Sequence, residues 1–413
     1  MQSEFRAQGR AVQGLVILAA LALFAVAALI GPAWMERHFL PEFFHPRAIQ
    51  LHKLANVRIA CVVAGLVLLW PLSPWLGRLA ARKPPRELAL DIAPTLVAIV
   101  LALIAAEVLL QRLPWFAEHE VPGQREPLRR RDPVMGWAYV PNRVGRGELG
   151  GRMIDYAIDP AGHRVRAAGD AVDYAAPTIL FVGESIIGGH GLTYDETIPA
   201  QTGARLGLQP ANLAVGGFAT DQMYLRLKAE WPRYRQPRAL VILFMPSLFH
   251  RNLDTDRPHL TPELAWRPPS DALRLFQLAH RVVPYRTDAD IADAVAMTRR
   301  ALSAMVDMAR AKGAVPVILV PQLTPETAEE RAIEGRVLTD LPVVQVNVDP
   351  TWRVPNNRHP DARAAARIAD AVAVYLVEHH VRPAASQPVD VAPSVGGSIA
   401  ALSRGRGTAI VGR

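Results

Sequence analysis

A three-layer α/β domain with a parallel sheet, preceded by three transmembrane helices, is the fold class this sequence predicts. Three observations carry it. Half of the 413 residues are hydrophobic and only 20% are charged, and the apolar excess lies within the first 110 positions. Beyond them, short continuous apolar runs alternate with helical patterns. At the ends of those runs stand glycines, a serine and a histidine, where an open α/β sheet binds its ligands.

Residues 1–110 read as the anchor. A bilayer core takes about 20 apolar residues, and the runs 11–30, 59–76 and 88–110 are long enough. Arg6 and Arg10 precede the first run as they would in a signal peptide, but two further runs of similar strength favour a three-helix anchor. Pro71 and Pro74 interrupt the end of the second. Asp91 and Glu107 lie near the ends of the third, where they can snorkel. The short loop before the third run carries Arg78, Arg82, Lys83 and Arg86. Together with Arg6 and Arg10 it predicts a cytoplasmic side. Arg37, Arg47, Lys53 and Arg58 in the first loop, and Arg129–Arg131 after the third run, reduce that asymmetry. The expectation is a multi-pass inner (cytoplasmic) membrane protein whose C-terminal domain faces the periplasm or exterior.

A Pro- and Arg-rich connector covers 111–131 and a globular domain 132–381. Residues 382–413, rich in Ala, Ser, Gly and Pro without periodicity, are expected to be disordered. The domain starts with extended segments broken by turns in DPVMGWAYVPN and IDYAIDPAGHR. Buried strands follow at Thr178–Val182, Ala211–Val215, Ala239–Met245, Val315–Val320 and Val343–Val346. Helices are expected at Ile198–Leu206, Gln222–Tyr234, Ile291–Ala311 and Asp361–Tyr375. The third ends in Lys312-Gly313, and Asp361 suits an N-cap. Alternating βαβ units make a parallel sheet.

A net charge of +8 and a pI near 10 come without any nucleic-acid-binding pattern, so no nucleic-acid partner is expected. The single cysteine, Cys61, lies in an apolar run and excludes a disulfide framework or a cysteine-based metal site. His250, Asp254, Asp256 and His259 fit no compact metal site. Neither metal nor cofactor is expected.

The first strand runs into FVGESIIGG. A serine between a strand end and a glycine-containing turn is held exposed at the sheet edge beside helix-start amides, although Ser185 could equally be an N-cap. The motif is not Gly-x-Ser-x-Gly. FVGESIIGGHGLTYDETIPAQ, NLAVGGFATDQ, LFMPSLFHRN and NNRHPDARAAARIADAV, in this order and at strand ends, resemble the four blocks of the SGNH (GDSL-like) hydrolase superfamily, whose domain is a flavodoxin-like three-layer sheet. The resemblance covers roughly residues 132–380. It implies Ser185 as nucleophile, His359 as base, and the amides of Ser185 and Gly217 as oxyanion donors. A serine needs such a base because its hydroxyl is a poor nucleophile at its own pKa.

Three positions depart from the family pattern. Glu184 replaces the Asp before the nucleophile, a side chain that supports structure. Ser247 stands where the third block places an oxyanion-donating Asn, and losing such a donor costs about 10²–10³ in rate. Asn356 and Asn357 stand where an acid orients the histidine; an amide oxygen at Asn357 can still accept the imidazole N–H but carries no charge. His190 is expected as an exposed loop histidine and Asp221 at a helix start. The segment 249–286, a long insertion beside the presumed active edge, suits a substrate-shaping lid.

The resemblance implies an ester-directed hydrolase or O-acyltransferase acting on acylated envelope carbohydrate or a small ester, with an envelope-biosynthesis protein as a possible partner. The alternative is a catalytically weak domain that binds glycan or scaffolds a polysaccharide assembly.

Overall fold

The computed structural model describes residues 2–40, 42–44, 47–82, 84–112 and 125–381. Most of the expected connector and all of the expected tail except its boundary lie outside these residues.

Three N-terminal helices are long and apolar enough to cross a membrane. Helix α1 is Gln2–Leu29, a short α2 is Pro32–Phe39, and α3 is Arg47–Val67. Pro71 does not end the second span. It is absorbed by a π-helical turn at Leu68–Leu72, after which α4 (Ser73–Ala80) carries on; a wider turn is how a helix accommodates a residue without an N–H. Helix α5 spans Pro85–Arg112. All three helices extend beyond their apolar runs. Helices α1 and α4 cross closely at two glycines, where a Cβ on Gly9 would sit 2.6 Å from the carbonyl of Gly77. Near the other end of α1, the Phe24 ring fills the space a Cβ on Gly65 would take. Small residues admit such backbone approach between membrane helices. The pairing of α1 with α3 and α4 is antiparallel.

The domain is built on an eight-stranded sheet. Strands β1 (Arg129–Asp132) and β2 (Gly136–Tyr139) form a separate hairpin. The main sheet comprises β3 (Val144–Leu149), β4 (Arg152–Ile158), β5 (Arg164–Val165), β6 (Pro177–Val182), β7 (Gln209–Asn212), β8 (Gln236–Leu243), β11 (Val315–Gln322) and β12 (Val343–Asn347). Their order is β12-β11-β8-β6-β7-β5-β4-β3. The first five strands of that order are parallel, and β5, β4 and β3 extend the edge antiparallel. The extended N-terminal segments of the domain are therefore partly sheet strands.

Alternation along each strand divides the core in two. Leu180, Val182, Leu240, Ile242, Ile318 and Val320 face one layer, with α8 (Thr220–Glu230) and α10 (Asp288–Ala311) over them. Ile179, Phe181, Ala239, Val241, Val317 and Leu319 face the other, under α7 (Ile198–Leu206) and α12 (Ala362–Glu378). Both faces are covered, which is why the strands read as unbroken apolar runs. Asp361 caps α12 by accepting the amides of Arg363 and Ala364. Among the parallel strands, β6 lies between β7 and β8, so the crossovers diverge at its carboxyl end. That is the topological switch point where such sheets open a crevice.

Between β8 and α10 lie a 3₁₀ segment (Pro246–Leu253), the short pair β9 (His259–Leu260) and β10 (Trp266–Arg267), and α9 (Arg274–Val282). Helix α9 is fastened to α5. Glu107 near the end of α5 accepts the amides of Arg274 at 2.8 Å and Leu275 at 2.9 Å, satisfying two of the free donors of a helix start. A cavity of about 710 Å³, bordered by Leu253, His259, Phe276, His280 and Met297, lies beneath this insertion; Ser185 and His359 do not line it.

Candidate active site

Strand β6 ends at Val182, and the chain turns at once into the one-turn helix α6 (Ser185–Gly188). Glycine is required at 183, where a Cβ would lie 2.5 Å from Cγ1 of Ile187. Glu184 caps the turn, its Oε1 accepting the Ile186 amide at 2.8 Å. Ser185 is thereby held at the switch point with 5% exposure. The loop that follows is fixed by Arg164, a buried residue on β5. Its guanidinium donates to the carbonyls of Gly188, Gly189 and Leu192 at 2.6–2.7 Å. Burial draws the Arg164 pKa down.

His359 arrives from the segment before α12. Its Nε2 is 2.8 Å from Ser185 Oγ, and its Nδ1 is 2.6 Å from Asn357 Oδ1. The backbone N–H of His359 also points at Oδ1, at 3.0 Å. An N–H can only donate, so the atom it meets is the amide oxygen and not the nitrogen. That assignment puts the ring proton on Nδ1 and leaves Nε2 free to accept from the serine. Asn356 is exposed, with φ +55°, and of the two neighbouring amides it is Asn357 that reaches the ring.

A second acceptor also meets the Ser185 hydroxyl. Oε2 of Glu184 is 2.5 Å from Ser185 Oγ and 3.2 Å from Arg251 Nη1, and the Glu184 side chain is inaccessible to solvent. The single hydroxyl proton thus has two acceptors, a neutral imidazole and a carboxylate. Sequence reasoning treated Glu184 as structural. It does cap the turn, but its second oxygen also accepts from the Ser185 hydroxyl. Burial lowers the pKa of His359, Glu184 raises it, and Arg251 lowers it.

His190 is not the exposed loop residue the sequence suggested. It is half-buried, its ring centroid 5.6 Å from that of His359. Its Nε2 is 3.1 Å from the hydroxyl of Tyr139, which in turn accepts the amide of Gly216 at 3.0 Å. Burial, then His359, Arg129 and Arg164, hold His190 well below the ordinary histidine pKa. Burial also pushes Tyr139 up to about 12, so it remains a phenol. Tyr139, on β2, gave no sequence signal; only the folded hairpin brings it to the site.

Gly217 and Ser247 follow the two strands that neighbour β6, β7 and β8. Gly217 follows β7 in a turn with φ +84°, a conformation glycine adopts without strain. A Cβ on the adjacent Gly216 would meet His190 Cε1 at 2.8 Å. Ser247 follows β8 and is buried at 9% exposure. Its carbonyl accepts the amide of Phe43 at 2.9 Å. Asp221 begins α8 by accepting the Gln222 amide, and also holds Arg257 through two 2.9 Å contacts, Oδ2 to Nη1 and Oδ1 to Nη2. It serves architecture. Asn252, in the third of the four blocks, bonds Thr220 and Thr298 instead of the nucleophile.

No family model and no curated protein matches the chain. Among solved structures it is similar to an acetyl xylan esterase from the rumen bacterium Butyrivibrio proteoclasticus, at 11% identity and TM-score 0.34, covering 51% of this chain and 66% of that one. It is similar to a salicylyl-acyltransferase from a tetracycline biosynthetic pathway, at 15% identity and TM-score 0.31, covering 53% and 60%. A third is a member of the lipolytic protein G-D-S-L family from Veillonella parvula, at 12% identity and TM-score 0.27, covering 47% and 95%. The match spans less than two thirds of the first two chains. These three are thus an esterase, an acyltransferase and a G-D-S-L family protein.

Proposed function

We propose that this chain is a membrane-anchored serine esterase or O-acyltransferase acting on an acylated carbohydrate of the cell envelope. One observation carries the reading: the continuous relay of Ser185 Oγ, His359 Nε2, His359 Nδ1 and Asn357 Oδ1, with contacts of 2.8 and 2.6 Å, at the switch point of the sheet. In this reading Oγ attacks the acyl carbonyl while Nε2 takes its proton. The amides of Ser185 and Gly217, with the Ser247 hydroxyl, receive the oxyanion, the kind of term that supplies most of such rate enhancements. The alcohol leaves with the proton from His359. Water or a sugar hydroxyl then deacylates the serine by the same steps reversed.

Asn357 fixes the tautomer but brings no charge to the imidazolium that forms. Glu184 supplies one from the other side. It lies against Oγ, and once the serine proton has moved to Nε2 its carboxylate faces the new cation across the reacting atom. The chain crosses the membrane three times in this reading, with its domain outside the cytoplasm.

The full-length protein, labelled with a fluorophosphonate and mapped by peptide, tests the proposal. Wild type should be modified at Ser185 and should hydrolyse an aryl acetate, and Ser185→Ala should do neither. Equal turnover by the two proteins would refute the catalytic role. A wild type that neither labels nor turns over any acyl ester would leave a glycan-binding or scaffolding domain, with Glu184 holding the serine proton out of play.

A further inference from the structure

The segment between the first two membrane helices reaches the candidate site. It is tied to the domain along its length. Arg37 Nε donates to Asp288 Oδ1 at 2.7 Å. His38 Nδ1 donates to the carbonyl of Arg286 at 2.7 Å, and the Arg286 amide returns a bond to the carbonyl of His38 at 2.8 Å. Trp34 stacks on Tyr285 with centroids 5.9 Å apart. Leu40 and Phe43 are 3% and 2% exposed, each built into one of the two core layers of the domain. The guanidinium groups of Arg353 and Arg358 lie 5.2 and 5.3 Å from the Phe43 ring.

Phe44 is the end point of these contacts. Its ring centroid is 4.8 Å from that of His359, tilted by 42°, and Arg251, the partner of Glu184, lies 5.5 Å from the same ring. The Phe44 ring thus lays an apolar face against His359, beside a serine only 5% exposed. The residues that anchor this face enter the cores of the domain, so the wall is part of the fold.

We propose that Phe44 is a specificity-determining residue of the site, forming with the 32–44 segment the wall that limits the acyl group to a short chain, acetyl in the first instance. The inference rests on the serine-esterase reading and deepens it. The site is complete only when the membrane hairpin is present. Helix α3 begins three residues after Phe44, and its apolar run begins at Ile59, about 18 Å further on at ~1.5 Å per residue. The scissile ester is therefore met close to the bilayer face.

Full-length protein in lipid nanodiscs is assayed with p-nitrophenyl acetate, butyrate and hexanoate, alongside fluorophosphonate labelling. Wild type should prefer acetate. Phe44→Ala should raise the butyrate-to-acetate ratio of kcat/KM by about fifteenfold, the factor that burying two more methylenes supports at ~0.8 kcal/mol each. Phe44→Leu should give an intermediate ratio, and both variants should label at Ser185. A ratio within twofold of wild type in labelled Phe44→Ala would overturn the role of Phe44 and leave the esterase reading intact. Failure of wild type to label would overturn both. If Phe44→Ala loses labelling and melts earlier, the ratio of Phe44→Leu decides by the same criterion.

Discussion

Replacing Glu184 by Gln isolates the charge of the side chain that touches the nucleophile. The amide keeps the shape and can still accept the Ile186 amide, so the turn should persist. Oε2 is 2.5 Å from Oγ and Oγ is 2.8 Å from Nε2, which keeps that carboxylate oxygen within about 5 Å of the imidazolium nitrogen. At an effective dielectric near 20, two unit charges at that separation attract by about 3 kcal/mol. Arg251, 3.2 Å from the same oxygen, opposes part of this, leaving about 2 kcal/mol, or roughly thirtyfold in kcat/KM. The pH profile gives an independent reading. His359 must be neutral to act as base, so activity falls below its pKa. Glu184 raises that pKa, and its removal should move the acid limb of kcat/KM to lower pH while lowering the plateau. A plateau within twofold of wild type and an unmoved acid limb would show that Glu184 only caps the turn.

Two further outcomes are expected. Asn357→Asp places a charge on the atom now 2.6 Å from Nδ1; kcat/KM should rise about tenfold, near 1.4 kcal/mol, with the acid limb moving to higher pH. The gain should vanish in a His359→Ala background, and Asn356→Asp should show none of it. For the membrane arrangement, a phosphatase reporter fused after His380 should be active outside the cytoplasm and one in the 81–84 loop silent; the reverse pattern would overturn the orientation.

Ser185 stood out because it falls where the apolar run of β6 stops, whereas His359 and Asn357, ten or more residues beyond the end of β12, came only from the resemblance of NNRHPDARAAARIADAV to the last family block. Helix Ile198–Leu206 was equally plain, bounded by a threonine cap and Gly207. What escaped depends on contacts between distant segments. Tyr139 reaches His190 only because the β1–β2 hairpin folds back over the turn at Gly216, and nothing in GWAY announces a partner 51 residues on. Pro71 and Pro74 suggested a weak span, whereas a π-helical turn accommodates the first of them at little cost in continuity. Phe43 and Phe44 gave no sequence signal, because their neighbours are supplied by residues more than two hundred positions away. The second contact of Glu184 was out of view for a different reason. Its cap is local and therefore visible, while the direction of its second oxygen is decided by Arg251 on the neighbouring strand's extension.

On the proposed reading, the attachment of the domain to the apolar helices at two separate places, at Arg37 and through the Glu107 cap on α9, changes the dimensionality of an enzyme's search. A catalytic unit on one flexible stalk sweeps a volume and can meet a substrate at any height within its reach. Two attachments set the height and the facing of the site, so that it travels only as the lipids around it do. Encounter then becomes a lateral process, and turnover should follow the number of acyl groups per unit area of membrane rather than their concentration in the surrounding fluid.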